Sequence, residues 1–234
     1  HLEMLSNIEE AVGRAKAARV GAIIAVGSNP ESNLKVQDIS RHYAGYVFPA
    51  FGLHPWDVPR YEKEGLSFLT DTVGECIALG EVGLDYWVKV DKALQRTVFE
   101  RILSLAFGRG KPVMIHCRGA WADVLEAVER SGVKRAVFHW FTGPADVLKR
   151  LLDRGFLISA SPAAAYSKAH REAVQLAPLE SIVLETDSPV KYGGVESEPA
   201  HVLKSLKSVA ELKGVEEEIV AERTTENAVR LLKI

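Results

Sequence analysis

Seven short apolar runs, separated by longer amphipathic stretches, constrain this chain more than any other feature. They are GAIIAVG (21–27), YVFPAFGLH (46–54), CIALGEVGLD (76–85), PVMIHC (112–117), RAVFHWF (135–141), GFLISASP (155–162) and SIVLETDSP (181–189). Each is rich in Val, Ile, Ala and Phe and too short for a helix. The runs are nearly continuous in apolar residues instead of alternating, the pattern of strands covered on both faces.

The stretches between them read as amphipathic helices. NIEEAVGRAKAARVG opens on Asn7 as a cap, carries acids in its first turn and is predicted to stop at Gly21. ALQRTVFERILSLAFGRG and ADVLEAVERSG also finish in glycine, and PAHVLKSLKSVAELKG and EEEIVAERTTENAVRLL close the chain. Repeated strand–helix units demand a parallel sheet, because right-handed crossovers return each helix to the sheet face. The predicted architecture is an α/β (β/α)8 barrel of the TIM type, a single domain over residues 1–234 without linkers or repeats. Such a barrel closes with eight strands. The chain shows seven and enters its first helix soon after His1, so a first strand is expected just before His1, outside this chain. The rival, an open doubly wound sheet, lacks the Gly-rich phosphate loop that should follow its first strand.

Composition narrows the functional classes. No apolar run approaches the roughly 20 residues of a membrane helix. Cys76 and Cys117 give neither a disulfide framework nor a C-x-x-C motif, and suit two buried thiols in a reducing compartment, hence a cytoplasmic protein. A formal net charge of −2 offers no global basic footprint for nucleic acid. Any case for a phosphate-bearing substrate must therefore come from local residues.

Those residues stand at the ends of the strands, where barrels of this type gather their active sites. The second run ends in His54, the third in Glu81 and Asp85, the next two in His116 and His139, and the last in Asp187. His1 would occupy the equivalent place in the first unit. A lone strand-end histidine is ordinarily a hydrogen-bonded structural residue, and a lone carboxylate can cap the following helix. Several imidazoles and carboxylates at one barrel mouth instead leave unpaired charge that a divalent cation neutralises. Mixed nitrogen and oxygen donors suit zinc, manganese or iron better than calcium.

At these residues the sequence resembles the TatD family of metal-dependent hydrolases, related to the amidohydrolase barrels. HLE, GLHP, GEVGLDY, PVMIHCR, FHWFTG, LETDSP and TTENAVRLL occur in the family's order and at its spacing. The resemblance implies two divalent cations (zinc, manganese or magnesium) and hydrolysis of DNA phosphodiesters. It also implies that Glu81 bridges both cations, that His116 and His139 hold one, and that Asp187, beside the attacking water, holds the other. His1 matches the second histidine of the family's H-x-H motif. The first is absent because the chain begins at His1, and a tag remnant is the alternative origin of His1-Leu2-Glu3. If the protein itself starts here, one cation lacks a ligand.

For the substrate, His54 and Arg118 are candidates to hold the scissile phosphate, the latter through its planar fork of donors. A rim salt bridge is the competing role for Arg118, and orienting a ligand the competing role for His54. Trp56, Trp87, Trp121 and Trp140 fall within a few residues of strand ends. Trp56 and Trp87 are the candidates to stack on unpaired bases, while Trp140 and Trp121 are expected to pack between strand and helix. Lys89, Lys92, Lys168 and Lys191 add positive charge on this face. The expected substrate is DNA, with single-stranded ends favoured, and no membrane or obligatory protein partner is indicated. Two readings compete: a hydrolase of small-molecule esters, amides or lactones, and an inactive barrel scaffold.

Overall fold

A computed structural model describes residues 1–234. It divides into two compact units, one of residues 24–139 and one of residues 1–23 with 140–234. The chain begins with α1 (Ile8–Ala17), β1 (Ile23–Val26), α2 (Pro30–His42), β2 (Val47–Leu53) and α3 (Val58–Thr72). It continues with β3 (Ala78–Asp85), α4 (Lys92–Arg109), β4 (Val113–Arg118), α5 (Trp121–Ser131) and β5 (Ala136–Phe138). After these come α6 (Ala145–Asp153), β6 (Leu157–Ala160), α7 (Lys168–Leu176) and β7 (Ile182–Leu184). A hairpin of β8 (Lys191–Tyr192) and β9 (Val195–Glu196) precedes α8 (Val202–Lys213) and α9 (Glu217–Leu232). From β1 to β7 the strand order follows the chain order, and each pairing resolved in register is parallel. This is the topology of a β/α barrel sheet. No helix is long and apolar enough to cross a membrane.

Every apolar run became a strand, but several strands are shorter than their runs. β5 stops at Phe138 and β7 at Leu184, so His139 and Asp187 leave their strands and enter loops. Helix starts follow the capping chemistry: Asn7, Asn29 and Asp91 each accept a backbone N–H three residues on, at 2.7–3.1 Å. The predicted stop of α1 at Gly21 is corrected. The helix ends at Ala17, and Arg19 takes the left-handed turn at φ 60° in place of a glycine. The short β8–β9 hairpin carries no apolar run and has no sequence counterpart above.

In the 24–139 unit the strand that matters most is β3, buried along its whole length with Glu81 and Asp85 included. Against β2 and against β4 alike, it carries one extra residue between Leu79 and Val82. Such a bulge re-aims the side chain it contains, and here that side chain is Glu81. Gly52 shows how closely β2 approaches: a Cβ there would lie 2.3 Å from the Glu81 nitrogen and 2.4 Å from its oxygen. The displaced hydrogen bonds of Gly52 go to the fully buried Asn33 of α2. Its Nδ2 donates to the Gly52 oxygen at 2.8 Å, and its Oδ1 accepts the Gly52 N–H at 3.0 Å. The amide of Glu81 reaches Gly27 of the β1 end instead, at 3.1 Å.

Candidate metal centre and its aromatic rim

Four of the predicted residues meet at one atom. Glu81 Oε1 lies 2.7 Å from His116 Nδ1, 3.0 Å from His139 Nε2 and 3.4 Å from His54 Nε2. His116 Nδ1 and His139 Nε2 are themselves 3.2 Å apart. Each residue arrives from a different strand: His54 follows β2, Glu81 sits in the β3 bulge, His116 lies in β4 and His139 follows β5. Gly83 makes room for this convergence. At φ +152°, a Cβ on it would sit 1.9 Å from the His116 oxygen.

The two nitrogens of His116 and of His54 face different partners, and that decides what each of these rings can do. His116 Nε2 faces Asp85 Oδ2 at 3.5 Å, a long ion-pair distance. With the ring proton on that side, Nδ1 presents a lone pair to Glu81 and His139. Glu81 Oε1, His116 Nδ1 and His139 Nε2 then form a triangle of acceptors with sides of 2.7, 3.0 and 3.2 Å. Donors held about 2.1 Å from a common ion lie about 3.0–3.4 Å from one another in octahedral or tetrahedral arrangement. Two sides match that spacing and the 2.7 Å side is a hydrogen-bond length, so a divalent cation can sit against the three atoms, and without one a proton between His116 Nδ1 and Glu81 Oε1 closes the triangle. Burial pushes the His116 pKa down, yet hydrogen bonding to Asp85 and Glu81 and the charge of Glu81 outweigh it and raise the value.

His54 differs. Its Nδ1 accepts the backbone N–H of Trp56 at 3.3 Å, so in the neutral ring Nε2 carries the hydrogen. His54, Glu81 and His116 place one donor atom each within 4.8 Å of one another, a spacing open to a cation. The tautomer argues that His54 instead offers an N–H toward the carboxylate or an anionic substrate oxygen.

Asp85 is the member of this group whose role the sequence left unassigned. It is fully buried, accepts the Trp56 indole N–H at 2.7 Å through Oδ2 and takes the Trp87 backbone N–H at 2.9 Å through Oδ1. Burial alone would raise its pKa, but hydrogen bonding with His116, Trp56 and Trp87 holds the carboxyl well below the usual range. The signal available in the sequence was its position four residues after Glu81 at a strand end.

The rim beside the cluster is aromatic. Trp56 is 56% exposed and Trp87 70% exposed. Arg118, at the end of β4, places its guanidinium 4.5 Å from the centroid of the Trp87 ring. Lys92 Nζ stands 4.6 Å from the Tyr86 ring.

The remaining predicted ligands belong to the unit of residues 1–23 and 140–234. The His1 α-amino group donates to the Ser188 oxygen at 2.7 Å, which sets His1 beside the Asp187 loop, and its Nδ1 lies 3.5 Å from Glu3 Oε1. Asp187 has φ +46° and Trp140 φ +41°, left-handed conformations that are uncommon outside glycine. Trp140 is half-buried, with its backbone N–H donating to Ser159 Oγ at 2.9 Å and Glu185 Oε1 at 3.0 Å and its ring 5.7 Å from that of Tyr192.

A parallel strand–helix fold in chain order, with histidines and a carboxylate converging within and just after its strands, fits the class of metal-dependent barrel hydrolases. The family follows from comparison: the model described as TatD related DNase matches residues 1–233, and the chain belongs to that family. It is 31% identical over 240 residues to a Bacillus subtilis protein named uncharacterized metal-dependent hydrolase YabD, covering 98% of this chain and 94% of that one. It is 30% identical over 242 residues to the human protein named deoxyribonuclease TATDN3, covering 96% and 88%. Among solved structures, YJJV, a TatD homolog from Escherichia coli K12, shares the fold with a TM-score of 0.90 at 24% identity, over 97% of this chain and 92% of that one.

Proposed function

We propose that this metal-dependent hydrolase is a deoxyribonuclease that cleaves phosphodiester bonds of DNA, with unpaired strand ends as its preferred substrate. The observation that carries the reading is the acceptor triangle of Glu81, His116 and His139, with an N–H of His54 and an exposed aromatic rim beside it. In this proposal His116 and His139 would hold one divalent cation (zinc, manganese or magnesium), His1 and Asp187 would hold a second, and Glu81 would be a ligand to both. Bound divalent ions supply a water of lowered pKa and neutralise the charge that grows on the phosphoryl oxygen.

The chain's own residues do the rest. Glu81 and Asp187 fix the position of the attacking water. His54 donates its Nε2–H to a non-bridging phosphate oxygen, and Arg118 attracts the same phosphate from the rim. Trp56 and Trp87 each offer an exposed ring to an unpaired base, worth about 1–3 kcal/mol per stacked base. The name carried by the human relative supports the choice of DNA over small esters, amides or lactones. The convergent acceptors argue against a bare scaffold. The same reading treats residues 1–234 as one catalytic domain in the cytoplasm, in keeping with two free, buried cysteines.

The test uses metal-stripped protein and labelled single-stranded DNA, with and without manganese or magnesium. Cation-dependent cleavage that disappears in Glu81→Ala is expected. A protein that binds manganese yet leaves DNA intact would return the assignment to the small-molecule hydrolases.

A further inference from the structure

We infer that Asp85 is a positioning residue that couples the cation centre to the Trp56 ring, so that an unpaired base on Trp56 and a cation at His116 strengthen each other's binding. The inference rests on the nuclease reading and adds to it a mechanism for preferring single strands. A buried carboxylate is expensive unless donors surround it. Asp85 is wholly buried; its hydrogen-bond donors, Trp56 and Trp87, stand on the exposed rim, while His116 Nε2, buried and without a hydrogen-bond partner, faces Oδ2 from the acceptor triangle at 3.5 Å. One oxygen, Oδ2, serves both Trp56 Nε1 at 2.7 Å and His116 Nε2 at 3.5 Å.

The backbone of Asp85 is held on both edges by the buried Gln95. The Asp85 N–H donates to Gln95 Oε1 at 2.8 Å, and its oxygen accepts from Gln95 Nε2 at 2.9 Å. With the backbone pinned and Oδ1 held by the Trp87 backbone N–H, Trp56 is the partner that holds Oδ2, the oxygen facing His116. More than half of Trp56 faces solvent, while its indole N–H is tied inward and its backbone N–H is tied to His54. A base stacked on that ring orders Trp56 and thereby holds Oδ2. A held Oδ2 keeps the His116 Nε2–H turned toward it and the Nδ1 lone pair turned to the triangle. Partners that orient a ligand histidine in this way change metal affinity by about 10–100-fold when removed. Linkage makes the effect reciprocal: whatever the base does for the cation, the cation does for the base. Bases in a duplex are already stacked on one another and cannot use the ring, so the coupling selects unpaired ends.

The experiment is calorimetric titration of manganese into metal-stripped, full-length protein. Trp56→Phe keeps an aromatic ring and removes only the indole N–H, and Asp85→Asn removes the charge. Manganese affinity is expected to fall about tenfold in Trp56→Phe and about 10–100-fold in Asp85→Asn. A cleavage-resistant phosphorothioate oligothymidine should tighten manganese binding to the wild type by about fivefold or more and leave Trp56→Phe unchanged. If Asp85→Asn does not fold, Trp56→Phe carries the test alone. Wild-type manganese affinity in folded Trp56→Phe overturns the coupling while leaving the nuclease reading intact. Wild-type protein that takes up no manganese removes both.

Discussion

Glu81 Oε1, His116 Nδ1 and His139 Nε2 lie within 3.2 Å of one another, and atoms of this kind held so close repel unless a proton or a cation stands among them. Residue identities at this point were legible in the sequence because barrels collect polar residues where strands end, and Glu81, His116 and His139 interrupt otherwise apolar runs. Tautomers were not legible. Whether a strand-end histidine binds a cation or donates a proton depends on what its other nitrogen meets, and in His54 that is an amide two residues away. The consequence is specific. His54→Phe should leave manganese stoichiometry and affinity near wild type while lowering kcat/KM on single-stranded DNA by about 100-fold or more, the loss of one positioned hydrogen-bond donor to the phosphate. Parallel titration and cleavage measurements check this, and a matching loss of manganese affinity would make His54 a ligand instead.

At the scale of elements, strands and helix caps followed from local chemistry, because apolar runs and Asn or Asp caps act over a few residues. The β3 bulge did not, since an extra residue in one strand is defined only against its neighbours. Nor was Asn33 visible: an asparagine inside a helix reads as a surface residue, whereas here it substitutes for strand backbone at Gly52. Asn33→Ala would strand a buried N–H and a buried carbonyl beside the Glu81 backbone. At about 1–3 kcal/mol for each unsatisfied group, it should destabilise the fold by about 2–6 kcal/mol. Urea denaturation measures this, and a change below about 0.5 kcal/mol, the usual range for an inconsequential surface substitution, would show that Gly52 does not depend on Asn33.

Across the whole molecule, chain-ordered parallel strands and a matching family model make the fold and the hydrolase class secure, while neither selects a substrate. Function in such barrels lives in the loops beyond the strands, and the relatives accordingly carry names as general as metal-dependent hydrolase and as particular as deoxyribonuclease. The net charge of −2 also says nothing of a rim where Arg118 lies over Trp87. What the account asserts at this scale is that strands distant in sequence deliver their acceptors to a common cation. Anomalous diffraction from manganese-soaked crystals, recorded at the manganese absorption edge, tests it most directly. The predicted result is a peak within coordination distance of Glu81 Oε1, His116 Nδ1 and His139 Nε2 that is missing in Glu81→Ala crystals. A fully soaked crystal with no peak inside that triangle would contradict the account.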